Sequence, residues 1–220
     1  MADEPSEFWS KVAKQYDQVV DVQIGSKTRS MVRKRVAKEN RLGNLVELGC
    51  GTGFYTPVLA AVADSVVATD LSTGMIAFAK QRTSAANVKF QPEDCERTSF
   101  PAASFETAFI SLVMHFTEPS KTVAEMHRIL KPGGTLIIAN LDPLALKGLA
   151  RLRCRARILY HGLVGYRTKP PKGFGKNLMT GDQLCELLEK SGFQVLSTET
   201  IKDPSRSSNI PVQYVRAVRL

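Results

Sequence analysis

The stretch 46–53, Val-Glu-Leu-Gly-Cys-Gly-Thr-Gly, restricts what this chain can fold into more than any other part of it. A short apolar run leads into Glu47, glycines stand at 49, 51 and 53, and a helical pattern follows over 54–63. Strand, glycine turn and helix in that order let bare backbone N–H groups approach a nucleotide-like ligand. The acid just before the glycines disfavours a phosphate ligand and favours one that carries a cation. A dinucleotide fingerprint spaces its glycines G-x-G-x-x-G, and here Phe54 stands where the third would fall; no Walker-type G-x-x-x-x-G-K-[ST] occurs either.

The rest of the chain alternates. Two helical stretches, 4–19 and 26–39, precede strand candidates at 45–48, 66–70, 88–91, 105–111 and 135–140. Helix candidates at 54–63, 73–82 and 120–130 lie between them, the last closed by Lys131-Pro132-Gly133-Gly134 as a stop signal. A helix at 180–191 and strands at 193–201 and 212–218 finish the chain, the last two joined closely enough to form an antiparallel hairpin at a sheet edge. Short apolar strands alternating with helices imply an α/β fold with a mostly parallel sheet covered on both faces, and ligands at the carboxyl ends of its strands.

Acids recur at those ends. Asp70 closes the second strand, 17 residues after Gly53. A carboxylate there can accept both ribose hydroxyls, although it could also cap the helix that follows; Ser72 and Thr73 are equally able to do that. Asp94-Cys95 follows the third strand, where an aspartate can take a hydrogen bond from an adenine amino group while the next N–H meets a ring nitrogen. By itself Gln-Pro-Glu-Asp is also a plain turn. In register with Glu47 and Asp70, it becomes the third acid on three successive strands.

Glu47-Leu-Gly-Cys-Gly-Thr-Gly53, Asp70-Leu-Ser-Thr-Gly-Met75-Ile, Pro92-Glu-Asp94-Cys95 with Phe100-Pro101, and Glu125-Met-His-Arg-Ile-Leu-Lys-Pro-Gly-Gly134 together resemble the class I S-adenosylmethionine-dependent methyltransferases. The nearest branch is the one that includes the ubiquinone/menaquinone C-methyltransferases, and the resemblance covers about residues 5–140. It implies a Rossmann-like seven-stranded sheet, order 3-2-1-4-5-7-6 with strand 7 antiparallel, in one domain over 1–220. It implies S-adenosyl-L-methionine as cofactor, S-adenosyl-L-homocysteine as product, and in-line displacement at the sulfonium methyl toward a small acceptor. The implied cofactor set is Tyr16, Glu47, Gly49, Cys50, Gly51, Thr52, Gly53, Asp70, Leu71, Met75, Asp94, Cys95 and Ser111. Within it, the glycine loop and Glu47 hold the methionine end, Asp70 the ribose, and Asp94 the adenine on which Met75 packs.

On the substrate side, the resemblance makes residues 1–40 a lid, with Phe8, Trp9 and Tyr16 as its aromatics. Tyr16 could touch the cofactor carboxylate, face the methyl group by cation–π attraction, or simply pack the helix onto the sheet. After the fourth strand, Ser111-Leu-Val-Met-His115-Phe116 marks where the acceptor should lie, and the Asn/Asp-Pro-Pro-Tyr signature of adenine- and glutamine-amide methyltransferases is absent. His115, with an ordinary pKa near neutrality, is the candidate general base, against a role as pocket lining. Nothing in the sequence requires a metal.

The charge is local. The net +9 equals the nine bases between Asp142 and Asp182, a span with no acid. There, over 143–179, Ala145, Leu149, Leu152, Ala156, Leu159 and Leu163 make an apolar stripe, with Lys147, Arg151, Arg153, Arg155 and Arg157 elsewhere on the wheel, and a glycine- and proline-rich mobile loop is expected to follow. Three readings compete: a lid helix docked on its own domain, a peripheral contact with anionic membrane lipid that suits a lipophilic acceptor, or an anion or RNA contact over 147–176, as in an RNA methyltransferase. Aromatics for base stacking are sparse (Tyr160, Tyr166, Phe174), which disfavours RNA. A nicotinamide reductase is disfavoured because Tyr166 and Lys169 are three apart, not four. Four cysteines without CxxC or zinc spacing, and an acidic N-terminus without an apolar leader, suggest a cytoplasmic chain.

Overall fold

A computed structural model describes residues 5–165 and 176–220, with the side chains of 157–165 left aside. Seven strands, β1 (Asn44–Leu48), β2 (Ser65–Asp70), β3 (Val88–Pro92), β4 (Phe105–Ser111), β5 (Leu130–Leu141), β6 (Phe193–Ile201) and β7 (Val212–Arg219), form one sheet of order β3-β2-β1-β4-β5-β7-β6. All pairs are parallel except those of β7, which runs antiparallel to both β5 and β6. The helices are α1 (Pro5–Val12), α2 (Tyr16–Ile24), α3 (Ser26–Val36), α4 (Thr56–Val62), α5 (Thr73–Arg82), α6 (Pro119–Ile129), α7 (Gly148–Gly165) and α8 (Gly181–Lys190).

Successive strand residues feed opposite faces, as the two-residue period requires. Leu45, Phe109, Ile137 and Ala139 join the core under α2, α3 and α4, whereas Val46, Leu48, Ile110, Leu136 and Ile138 join the core under α6 and α8. Both faces are therefore covered, and the central strands bury apolar residues on each side. The strand order reverses between β1 and β4, so their carboxyl ends splay apart and open a crevice.

Two expectations about elements need correction. The first helix does not run unbroken over 4–19: a 3-10 turn at Ala13–Gln15 separates α1 from α2, and α2 continues to Ile24, where Gly25 at φ +86° ends it. Helix α6 does end at Ile129, just before Lys131-Pro132-Gly133-Gly134, but the next strand starts at Leu130 and not at 135. β5 runs through them, its pairing with β4 jumping from Phe105↔Leu130 to Thr107↔Thr135, and Gly133 at φ +74° allows that bulge. The loop expected around 166–175 lies outside the described residues.

Candidate active site

The turn after β1 is built on positive φ. Gly49, Gly51 and Gly53 sit at +69°, +54° and +77°, a region costly for residues with a Cβ. Their surroundings differ. A Cβ on Gly51 would meet the ring of Tyr16 at 3.2 Å, whereas one on Gly53 would meet Ala79 Cα in α5 at 3.0 Å. Gly53 is thus a packing position between the turn and α5, and it lines none of the cavities described here.

Asp70 holds this turn from the next strand. Its Oδ2 accepts the Gly51 N–H and its Oδ1 the Ser72 N–H, each at 2.9 Å. It does not cap α5; Ser72 does, its Oγ accepting from Met75 N at 3.1 Å. Burial raises the Asp70 carboxyl to a pKa of about 6 against the pull of those two N–H groups. Asp94 also makes the plain turn foreseen for it, its Oδ1 accepting from Glu96 N at 2.9 Å. A cavity of about 240 Å³ opens between these groups, lined by Gly49, Gly51, Asp70, Leu71, Met75, Asp94 and Cys95 together with Trp9, Tyr16 and Phe116. Burial pushes the Cys95 thiol to about 12 and the Cys50 thiol well up, so neither is a thiolate.

Behind the glycine turn lies a smaller polar recess lined by Tyr16, Arg29, Glu47, Cys50, Thr52, Tyr55 and Ser111. Glu47 is 2% exposed. Its Oε2 accepts from Thr56 Oγ1 at 2.6 Å, and burial, reinforced by the nearby Asp70 charge, raises its pKa to about 8. Arg29 and Ser111 lie beside the Tyr55 hydroxyl. Even so, Arg29 Nε, Tyr55 OH and Ser111 Oγ are buried without a hydrogen bond of normal geometry among the described residues. A buried acid facing a group of unused donors is the complement of an amino-acid group, ammonium on one side and carboxylate on the other.

His115 sits apart, in the short helical turn Met114–Phe116 after β4. Together with Tyr16, Val19, Val20, Gln23, Ile24 and Leu141 it lines a pocket of about 10 Å³, room for about one water. Its Nδ1 is buried without a partner among the described residues, and burial lowers its pKa to about 3. The near-neutral value expected from the sequence is not found: the imidazole is neutral throughout the physiological range. Tyr16 lines all three spaces and joins them.

The N-terminal helices are tied across this site. Ser6 Oγ donates to Leu71 O at 3.0 Å, Ser10 and Ser72 share a hydroxyl contact of 2.7 Å, and Trp9 meets Phe116 edge-on at 4.8 Å. Phe8 is instead fully buried against Met75 and Val12. In α2, Asp17 Oδ1 accepts from both Arg29 (2.9 Å) and Thr52 Oγ1 (3.0 Å), and Oδ2 pairs with Arg82. Arg29, whose guanidinium also stacks 3.8 Å over Phe54, was invisible to sequence reasoning, as were Tyr55, Thr56 and Asp17's linking role. An arginine on a basic helix gives no sign that it turns inward. Among the described residues, no group of three His, Cys, Asp or Glu could hold a metal ion.

Residues 46–138 match the family model of a methyltransferase domain. The chain is 36% identical to a demethylmenaquinone methyltransferase of Paenarthrobacter aurescens over 143 residues, 64% of this chain and 56% of that protein. It is 25% identical to a malonyl-acyl-carrier-protein O-methyltransferase of a Paenibacillus species, over 97% of this chain and 78% of that one. The chain therefore spans little more than half the length of the first of these relatives. In fold it is similar to an S-adenosylmethionine-dependent methyltransferase of Mesorhizobium loti, with a TM-score of 0.65 at 20% identity, covering 87% of this chain and 98% of that one.

Proposed function

The chain carries a class I S-adenosylmethionine-dependent methyltransferase domain that resembles the quinone C-methyltransferases, and on that premise we propose that it methylates a small acceptor with an apolar body. One observation carries this reading. The cleft beside the glycine turn and the pocket beside His115 share a wall made by Trp9, Tyr16, Leu112 and Phe116, so they adjoin as a cofactor space and an acceptor space must if a methyl group is to pass between them.

The residues suit the cofactor. Glu47 faces its ammonium, Arg29, Tyr55 and Ser111 its carboxylate, Asp70 the ribose hydroxyls, and Asp94 with the Cys95 N–H the adenine edge, while Leu71 and Met75 flank the ring. Gly49, Cys50, Gly51 and Thr52 supply the close backbone. When bound, S-adenosylmethionine supplies a methyl group already activated by the sulfonium charge. What remains for the protein is to position the acceptor and exclude water. Trp9, Tyr16 and Phe116 close the cleft from the N-terminal side. His115, neutral and with an unused Nδ1, accepts a hydrogen bond from an acceptor hydroxyl. The pocket beside it holds little more than a water, so α1 and α2 act as a lid that must shift to admit the acceptor.

The relatives' names suggest two acceptor chemistries, a quinol ring carbon and a malonyl carboxylate. The test is release of S-adenosylhomocysteine over a panel of quinols, phenols, thiols, amines, phospholipids and malonyl thioesters, with cofactor binding measured by calorimetry. Turnover with a quinol or another apolar hydroxyl compound supports the reading. Cofactor binding without turnover on any member of the panel counts against it.

A further inference from the structure

Helix α7 presents to solvent the apolar stripe of Leu149, Leu152 and Ala156 and does not dock it on the domain. It rests on the domain through Ala150 and Cys154, one turn apart, and packs against α2. At 100° per residue, those two positions centre on one side of the helix, and Leu152 points directly away from it. Leu152 is 64% exposed and Leu149 59%. Ala156, on the same outward stripe, is exposed as well. Arg151 and Arg155 fall on one flank of this stripe and Arg153 on the other, all exposed. Lys147 precedes the helix, and no acid occurs between Asp142 and Asp182 to balance any of them.

An isolated exposed leucine needs no explanation, but two adjoining leucines at full helical spacing, bordered on both sides by arginine, form an amphipathic face that is solvent-exposed among the described residues. We propose that α7 is a docking helix for an anionic lipid surface, with Leu149 and Leu152 entering the boundary between headgroups and acyl chains and Arg151, Arg153 and Arg155 meeting lipid phosphates. The charge selects the occupant: an acid-free basic segment complements anionic headgroups, and its outward apolar stripe suits acyl chains better than nucleic acid, which rewards stacking aromatics. The placement also serves the site. α7 leans on α2, whose Val19, Val20 and Gln23 line the pocket beside His115, so a single helix separates the docked surface from that pocket. The docking inference does not depend on turnover and can fail without touching the methyl-transfer reading.

The experiment is co-sedimentation of the full chain with phosphatidylcholine vesicles, with and without phosphatidylglycerol, at low and high salt. The chain is expected to pellet only with the anionic vesicles and to be released by salt. Each of Arg151→Gln, Arg153→Gln and Arg155→Gln should weaken binding about five-fold, equivalent to about 1 kcal/mol per surface charge. Leu152→Asp should weaken it at least about ten-fold. Because these side chains are exposed, the variants should melt with the parent, so lost pelleting reads as lost docking. Equal pelleting with both vesicle types overturns the proposal. So does full binding by Leu152→Asp, tighter binding to an RNA oligonucleotide at matched salt, or self-association that Leu152→Asp abolishes in a chain that ignores vesicles.

Discussion

The carboxylate of Asp70 accepts the backbone N–H of Gly51 at 2.9 Å, so the acid that ends β2 braces the glycine turn that ends β1. Its second oxygen is fixed by the Ser72 N–H. A carboxylate offers about four lone-pair sites, which leaves two directed at the cleft. Ligand contact and loop geometry are thus coupled through one side chain.

Replacing Asp70 by Ala therefore removes two functions together. Cofactor affinity should fall by at least about 100-fold, corresponding to two charge-assisted hydrogen bonds at about 1.5–3 kcal/mol each, while the circular-dichroism spectrum stays that of the parent. Asp70→Asn keeps one acceptor oxygen and should fall between the two. Calorimetric binding by Asp70→Ala within about three-fold of the parent would remove Asp70 from the site.

Gly51 and Gly53 should separate binding from stability. Gly53→Ala drives a Cβ against the backbone of α5 at φ +77°, which should lower the melting temperature at a cost of about 1–3 kcal/mol while leaving cofactor affinity little changed. Gly51→Ala points instead at Tyr16 and the cleft and should reduce affinity more than stability. The opposite pattern in melts and titrations would reverse the two assignments.

Glu47 makes binding proton-linked. With its carboxyl raised to about 8, the free protein holds it largely protonated at neutral pH. A cation brought into the recess favours the ionised form, so binding should release a proton and tighten from about pH 6 to about pH 8. Calorimetry in buffers of different ionisation enthalpy reads this directly. Identical apparent enthalpies across buffers would contradict it, and Glu47→Gln should abolish the dependence.

Much of this was legible because it is local. Glu47 and Asp70 close strands β1 and β2 and Asp94 follows β3 by two residues, and the sheet order is the one that the motifs' resemblance to class I methyltransferases implied. The polar recess was not, because Arg29, Tyr55 and Ser111 meet only through tertiary packing of α3 against the turn. For α7 the helical wheel found an apolar stripe but could not say which side docks. Leu146, Ala150 and Cys154 form a second, shorter apolar row, and that row is the one in contact with the core.

Asp17 should act as the tie between α2 and the site. Burial works to raise its pKa but is outweighed by Arg29, Arg82 and Thr52, so the net value is lowered. The associated stability is present above the ordinary carboxylate range and is lost as pH falls through the lowered value. Asp17→Ala leaves the buried Arg29 with Asp21 as its remaining carboxylate and should cost about 1–3 kcal/mol, with cofactor affinity reduced through Thr52. A melt and titration indistinguishable from the parent would show that the tie carries no energy.

His115 gives the sharpest division between a base and a neutral hydrogen-bonding group. A base titrating near 6.5 imposes a ten-fold loss of kcat/KM per pH unit below that value, and His115→Gln would flatten the profile. A buried imidazole with a pKa of about 3 imposes no such limb, so the parent and His115→Gln should share one pH profile, differing in KM for the acceptor. Stability should behave otherwise. Below about 6.5 the unfolded chain binds a proton at this histidine that the folded chain refuses, so stability falls as pH drops toward 3. At pH 5 the deficit is about 2 kcal/mol, and His115→Gln should be spared it. An acid limb in kcat/KM near 6.5 that disappears in the glutamine variant would restore His115 as the general base.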